Sequence, residues 1–246
     1  MDKMLLMSLN LVCLMATVST AAEQKFESDI IKTSQGTLTI TFIGHATLMM
    51  SFCGENIYVD PTMQMADYSN LPKADLILIT HEHPDHFDIK AIDQLKTIKT
   101  EIVSTETVAA KLKGIAIMKN GDVKTICGLE IKAVPAYNIV NMRGPGSPFH
   151  PKGIGNGYVV TFGDKLVYIA GDTENIPEMG SLKNIDIAFL PMNLPYTMTP
   201  EMVAAAARSF QPKVLYPYHY GNTDTGRIIE LLKNDKNIEV RIRKMK

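Results

Sequence analysis

Three of the chain's six histidines fall in one short run, His81-Glu82-His83-Pro84-Asp85-His86. Imidazole nitrogens and carboxylate oxygens are the donors that hold zinc and neighbouring divalent cations. In an extended segment His81 and His83 project to the same side, because side chains alternate with a period of two. One cation can then reach both. Asp85 and His86 follow the bend at Pro84 and can face a second cation a few ångströms away, as two-metal hydrolytic sites require. Such a pair of cations lowers the pKa of bound water from about 15.7 toward about 7, so that hydroxide is available at neutral pH to attack a carbonyl or phosphoryl centre. A chance cluster of surface polar groups is the competing reading. Ligand spacing at the mouth of a buried strand weighs against it.

The elements around the run have to place it. Residues 75–80, Asp-Leu-Ile-Leu-Ile-Thr, form a continuous apolar segment of strand length, which predicts a strand buried on both faces. Ile89, Ile92, Leu95 and Ile98 recur at helical spacing, so the histidines sit on a strand-to-helix loop. Upstream, residues 37–43, 46–52 and 56–59 are β-rich and broken by turn residues, as in an antiparallel meander. Downstream, strands are predicted over 101–104, 123–126, 129–134, 157–162, 166–170, 186–190, 214–216 and 238–242. Thr105 is placed to cap a helix carrying Val108, Ala109 and Leu112, and a Gly/Pro-rich loop spans 138–155. Thr199-Pro200-Glu201 reads as a capped helix start, and a further helix lies around 226–232. Strands followed by mixed strands and helices, twice over, predict two sheets packed face to face with helices outside.

At His81 to His86 the chain resembles the metallo-β-lactamase superfamily, whose signature is His-x-His-x-Asp-His. The resemblance spans most of 37–242 and implies an α/β, four-layer αβ/βα sandwich of two mixed β-sheets, with one or two metals at the edge between them. It also implies two sets of ligands. His81 and His83 with a third histidine would hold the first metal, and Asp85, His86 and a late histidine the second. Gly171-Asp172-Thr173, after the apolar residues 168–170, is similar to the family's bridging-aspartate motif and makes Asp172 the candidate shared ligand. Tyr218-His219-Tyr220 resembles the segment with the last histidine. The third histidine departs from the usual pattern, because Pro135-Ala136-Tyr137-Asn138 holds none where one is expected. His150, in Phe149-His150-Pro151-Lys152-Gly153, is the remaining candidate and resembles a stretch in the branch related to ascorbate-6-phosphate lactonase and N-acyl phosphatidylethanolamine phospholipase D. As a loop histidine it could instead face substrate or solvent, and Asn138 could orient substrate or ligate weakly.

Five residues carry open readings. His45, on the turn Gly44-His45-Ala46, is either a substrate or hydrogen-bonding neighbour of the metals or a bonded turn histidine. Asp60, in Val59-Asp60-Pro61, either accepts from the far nitrogen of a ligating histidine, fixing its tautomer, or starts a turn. Asp85 and Asp172 are candidates to carry a proton to the leaving group, besides ligating. Arg143, in the loop, either binds a carboxylate or phosphate of the substrate or is a solvated surface arginine.

Composition narrows the partners. A net charge of -1 over 246 residues gives no basic footprint for nucleic acid. Lys3, the apolar residues 4–18 and small residues at 19–22 follow the plan of a secretory signal peptide, so residues 1–22 are expected to be a signal and 23–246 one hydrolase domain. The expected address is periplasmic or secreted, with no membrane insertion after cleavage. Cys53 and Cys127 lie in strand-like segments and either pair or stay as buried thiols. The expected protein is therefore a hydrolase with two divalent metals, zinc favoured by the resemblance and manganese or iron allowed, acting on a lactone, ester or phosphodiester of a small molecule. A metal-binding protein without turnover and a periplasmic β-lactam hydrolase are the alternatives. A redox di-iron protein is disfavoured, since those members carry Glu where His83 stands and usually a flavin domain.

Overall fold

A computed structural model describes residues 25–245. The expected signal segment lies outside the described residues. The first half of the chain forms a seven-stranded sheet in sequential order: β1 (Glu27–Thr33), β2 (Gly36–Gly44), β3 (Thr47–Phe52), β4 (Glu55–Val59), β5 (Leu76–Leu78), β6 (Glu101–Ser104) and β7 (Ala116–Ile117). Helices α1 (Ile89–Leu95) and α2 (Glu106–Ala109) connect its parallel strands. The second half continues through β8 (Val123–Ile126), β9 (Leu129–Ala136), the small hairpin β10 (Met142–Gly144) and β11 (Ser147–Pro148), and β12 (Gly155–Phe162). Then follow β13 (Lys165–Ile169), a 3-10 helix over Pro177–Ser181, β14 (Ile187–Pro191), α3 (Pro200–Phe210), β15 (Val214–Tyr218), α4 (Gly226–Leu232) and β16 (Glu239–Val240). The second sheet runs β16-β15-β14-β13-β12-β9-β8.

Side-chain alternation explains how the sheets stack. Leu38, Ile40 and Phe42 of β2 point inward with Leu76 and Leu78 of β5, and meet Ile131, Val160, Ile169 and Phe189 from the second sheet in one buried cluster. The alternate residues Ile77 and Ile79 face outward onto Ala91, Ile92 and Leu95 of α1. On the other side Ala188 and Leu215 pack against Val203, Ala207 and Phe210 of α3 and Ile228 of α4. The result is four layers, helix, sheet, sheet, helix, and it accounts for the unbroken apolar character of β5 and β14: both of their faces are covered.

Several local expectations are corrected. The strand expected over 75–80 is limited to Leu76–Leu78, and the chain bends at Glu82 and His83 into the histidine loop. Thr105 stands at the N-cap of α2 without a side-chain cap bond; its hydroxyl instead meets that of Thr107 at 2.8 Å. The stretch 138–155 is not loop throughout, since the β10–β11 hairpin forms within it. β1 escaped detection because it is an edge strand of polar and exposed residues, paired on one side only. The cysteines are neither strand residues nor fully buried: Cys53 is exposed, Cys127 half-buried, and both are free thiols. Each begins a Cys-Gly hairpin turn with φ of 50° at both cysteines, and glycines 54 and 128 follow at 88° and 73°. Two consecutive positive φ values are what a two-residue turn between twisted strands requires.

Phe189 is fully buried and stacks on Tyr216, ring centroids 5.1 Å apart, at the centre of the sandwich. Replacing it by alanine is expected to cost about 3–5 kcal/mol of unfolding free energy, and a loss under about 1 kcal/mol in urea titration would contradict this packing.

Candidate metal centre

Strand ends supply the site. β4 ends just before Asp60, β5 just before Thr80 and His81, β13 before Asp172, and β15 before His219, so the parallel strands of both sheets deliver their last residues to one edge. The β2–β3 turn brings His45 there, and the loop after β9 brings Asn138, Arg143 and His150. Gly171, at φ +65°, lets the chain pass close under the second sheet: a Cβ there would lie 2.8 Å from the Asn156 carbonyl oxygen and 3.1 Å from Thr80. His45, Asp60 and His219 hold the left-handed region without being glycine, with φ of 53°, 44° and 48°. Backbone strain of this kind concentrates at functional sites.

All six histidines of the chain converge here. His81 Nε2 lies 3.0 Å from His83 Nδ1, which lies 3.2 Å from His150 Nε2. Ligands about 2.0–2.1 Å from a tetrahedral cation stand roughly 3.3 Å apart, so this spacing suits one ion. A second group joins His45, Asp85, His86 and His219, whose donor atoms lie within 4.8 Å of one another. Asp85 Oδ2 is 3.1 Å from His45 Nε2, 3.4 Å from His219 Nε2 and 3.7 Å from His86 Nε2. Asp172 lies between the groups. Its Oδ2 faces His150 at 3.3 Å and His81 at 4.0 Å, while its Oδ1 faces His86 at 3.4 Å and His219 at 3.6 Å.

Among the described residues, His86 Nε2, Asp172 Oδ1, His219 Nδ1 and Thr62 Oγ1 are the buried side-chain atoms without a hydrogen-bond partner. Leaving such an atom unpaired costs about 1–3 kcal/mol. Two of the four, His86 Nε2 and Asp172 Oδ1, face each other in the second group, and a cation between them would satisfy both.

Asp60, fully buried, organises two of the imidazoles. Its Oδ2 accepts from His86 Nδ1 at 2.8 Å and from the Thr80 hydroxyl at 2.7 Å, and its Oδ1 accepts from the Thr80 amide. The Thr80 oxygen, its own proton committed to Asp60, is left to accept from His81 Nδ1 at 3.0 Å. Both rings thereby donate from Nδ1 and turn Nε2 to the site. Thr80 was missed by sequence reasoning; its only signal is its position immediately before the run.

The charges follow from burial and neighbours. Burial pushes His81 well below the ordinary imidazole value, with His86 adding repulsion, and burial lowers His83 and, to about 4, His150. For His86 burial pulls the same way but is outweighed by the Asp172 and Asp60 carboxylates, which hold it well above the ordinary value. Burial opposes ionisation of Asp172 too, yet His219 and His86 hold it well below the usual carboxylate range. Burial likewise opposes ionisation of Asp85, and the hydrogen bonds of His219 and His45 hold it low.

The other expected residues take definite places. Asn138 turns its Oδ1 to His150, accepting from the His150 amide at 2.8 Å and from Nδ1 at 2.7 Å. Arg143 Nη2 lies 3.1 Å from His83 Nε2, and its guanidinium sits over the Phe149 ring. The histidines open onto a cavity of about 480 Å³ lined also by Arg143, Phe149, Asn193 and Tyr196. That volume fits a small molecule.

Similarity to known proteins covers most of the chain, this edge of the sandwich included. The chain belongs to the beta-lactamase superfamily, whose domain model matches residues 39–219. A UPF0173 metal-dependent hydrolase of Methanopyrus kandleri is 32% identical over 201 residues, covering 75% of this chain and 84% of the relative. Another from Koribacter versatilis is 31% identical, covering 80% and 91%. Among solved structures, a protein of Parabacteroides distasonis assigned as a metal-dependent hydrolase is 51% identical, covers 90% of this chain and 100% of its own, and superposes with a TM-score of 0.87. The metallo hydrolase Igni18 of Ignicoccus hospitalis shares the fold at 24% identity, covering 85% of this chain and 96% of its own, with a TM-score of 0.69.

Two outcomes are expected. Asp60→Asn lowers divalent-cation affinity about 10–100-fold in chelator competition while the far-ultraviolet spectrum is retained; unchanged affinity would exclude the orienting role. His86, with its pKa raised, carries a proton at neutral pH in the metal-free protein, whereas His81, His83 and His150, with theirs lowered, do not. Cation entry at His86 must therefore expel a proton, and affinity there must rise with pH through neutrality. Calorimetry in buffers of different ionisation enthalpy reads this release; heats independent of buffer at pH 7 would disprove it.

Proposed function

We propose that this chain is a metal-dependent hydrolase with two divalent cations. His81, His83 and His150 would hold the first and Asp85, His86 and His219 the second, with Asp172 available to both. The observation that carries this reading is the split of Asp172, whose two oxygens face two different groups of imidazoles. Nitrogen and oxygen donors without sulfur suit zinc, manganese or iron, and we take zinc as the first choice. When bound, such a pair supplies Lewis acidity, polarising the scissile bond and making water acidic enough to react near neutral pH.

The residues divide the remaining work. Asp85 and Asp172 both line the cavity, and Asp85, with a side chain 39% exposed against 4% for Asp172, is the more accessible carboxylate. It is the group placed to pass a proton to the leaving atom, and His45, bonded to it at 3.1 Å, keeps its oxygen aimed there. Asp172 stays ionised and buried and serves to hold the two groups together. Arg143, Phe149 and Tyr196 form the cavity wall, offering one cation and two aromatic faces to a small lactone, ester or phosphodiester. The signal-like segment 4–18 adds a periplasmic or secreted address to the proposal.

Metal analysis of the purified chain, combined with a panel of lactone, phosphodiester and β-lactam substrates, tests this. Two cations per chain and turnover of an ester-type substrate are expected, and Asp172→Ala is expected to reduce turnover to background and lose a cation. An Asp172→Ala protein with full metal content and full activity would overturn the assignment.

A further inference from the structure

Glu174 stands two residues beyond Asp172 but belongs to neither group of imidazoles. Its side chain is nonetheless buried, and the residue is only 1% exposed. The carboxylate accepts four hydrogen bonds. Oε2 takes the amides of Ile139 and Val140, each at 2.8 Å, and Oε1 takes the amide of Asn141 at 2.6 Å and Asn138 Nδ2 at 3.1 Å. Three consecutive backbone N–H groups thus close around one side chain, a concavity that suits an anion. All four partners are donors, which a carboxylate accepts without presenting a competing donor of its own.

Asn138 carries the effect onward. Its Nδ2 donates to Glu174 and to the Tyr196 carbonyl at 2.9 Å, both acceptors, so its amide cannot be turned over without setting oxygen against oxygen. Its Oδ1 consequently faces His150, accepting from the His150 amide at 2.8 Å and from Nδ1 at 2.7 Å. With the proton held on Nδ1, the Nε2 lone pair of His150 points toward His83 Nδ1 and Asp172 Oδ2. We infer that Glu174 is a positioning residue for the first cation: through Asn138 it fixes the tautomer and the direction of His150, the ligand that the usual family position does not supply. The inference rests on the reading of His150 as a ligand. It does for His150 what Asp60 and Thr80 do for His81, from a different strand and through a side-chain amide.

The test uses the full chain and two readouts. Nitrogen-15 imidazole spectra of the metal-free protein report the tautomer of His150, and chelator competition with Zn2+ reports affinity at each position. In Glu174→Gln, one oxygen becomes an NH2 group facing N–H donors. His150 is then expected to lose its single Nδ1–H form and the first Zn2+ to bind at least about tenfold more weakly, while the His86 signals and the second Zn2+ stay as in the wild type. Asn138→Ala should give the same loss, and the double variant no more than either alone, because the two residues act in series. A folded Glu174→Gln protein with the wild-type tautomer and affinity would overturn the proposal, as would losses that add in the double variant. If Glu174→Gln does not fold, Asn138→Ala decides: it cuts the link yet leaves the three backbone amides on Glu174, and an unchanged His150 tautomer there refutes the relay. A wild-type chain whose His150 spectrum ignores Zn2+ refutes His150 as a ligand, while the tautomer comparison still judges the relay.

Discussion

Six imidazoles and two carboxylates brought to one edge of a sandwich must be kept out of water without losing their partners, and this constraint shapes the surrounding structure. A polar group taken from water costs free energy unless it is bonded, and a bare charge costs far more. The chain meets the demand with acceptors placed behind the site. Asp60 holds His86 directly and His81 through Thr80, and Asn138 holds His150. Two of the four buried side-chain atoms without partners among the described residues, His86 Nε2 and Asp172 Oδ1, face each other across the second group. Polar satisfaction is complete behind these imidazoles and incomplete in front of them, which is the pattern of a site built for a cation.

Much of this was legible in the sequence because the residues concerned are neighbours along the chain. His81, His83, Asp85 and His86 share one loop, and Asp172 and His219 each close an apolar strand with a turn. Chemistry and local pattern agree there. The layer order was legible for the same reason: β5 and β14 are apolar on both faces, and α3 announces itself through Thr199, whose hydroxyl accepts from the Met202 amide as a cap should.

What stayed hidden depends on contacts between distant segments. Thr80 and Glu174 are of common residue types, and neither has a local pattern that marks it. Glu174 matters through a loop some 35 residues upstream in sequence. His150 was found by elimination, yet what aims its ring is the hydrogen bonding of Asn138. The Cys53-Gly54 and Cys127-Gly128 turns fall in the gaps between the predicted strands; what was misread is the thiols, expected to pair or be buried, which sit free at turns that face solvent. The exposed β1 hides likewise, since an edge strand lacks the two-faced burial that reveals a central one.

The sheets meet at the site through main-chain bonds as well as side chains. The His219 amide donates to the His45 carbonyl at 2.9 Å and the Asn156 amide to the Thr80 carbonyl at 3.0 Å, and the Tyr158 hydroxyl reaches the Ile79 carbonyl at 2.8 Å. Each of these stitches joins one sheet to the other. Opening the seam would break bonds on which the direction of the histidines depends, so this edge belongs with the parts of the fold that open last, at a free energy approaching that of global unfolding. The histidine centre is therefore mechanically a rivet between two plates. Solvent and reactants reach it through the cavity beside Arg143, Phe149, Asn193 and Tyr196, and that wall is itself tied to the site, since Asn138 bonds both His150 and the Tyr196 carbonyl.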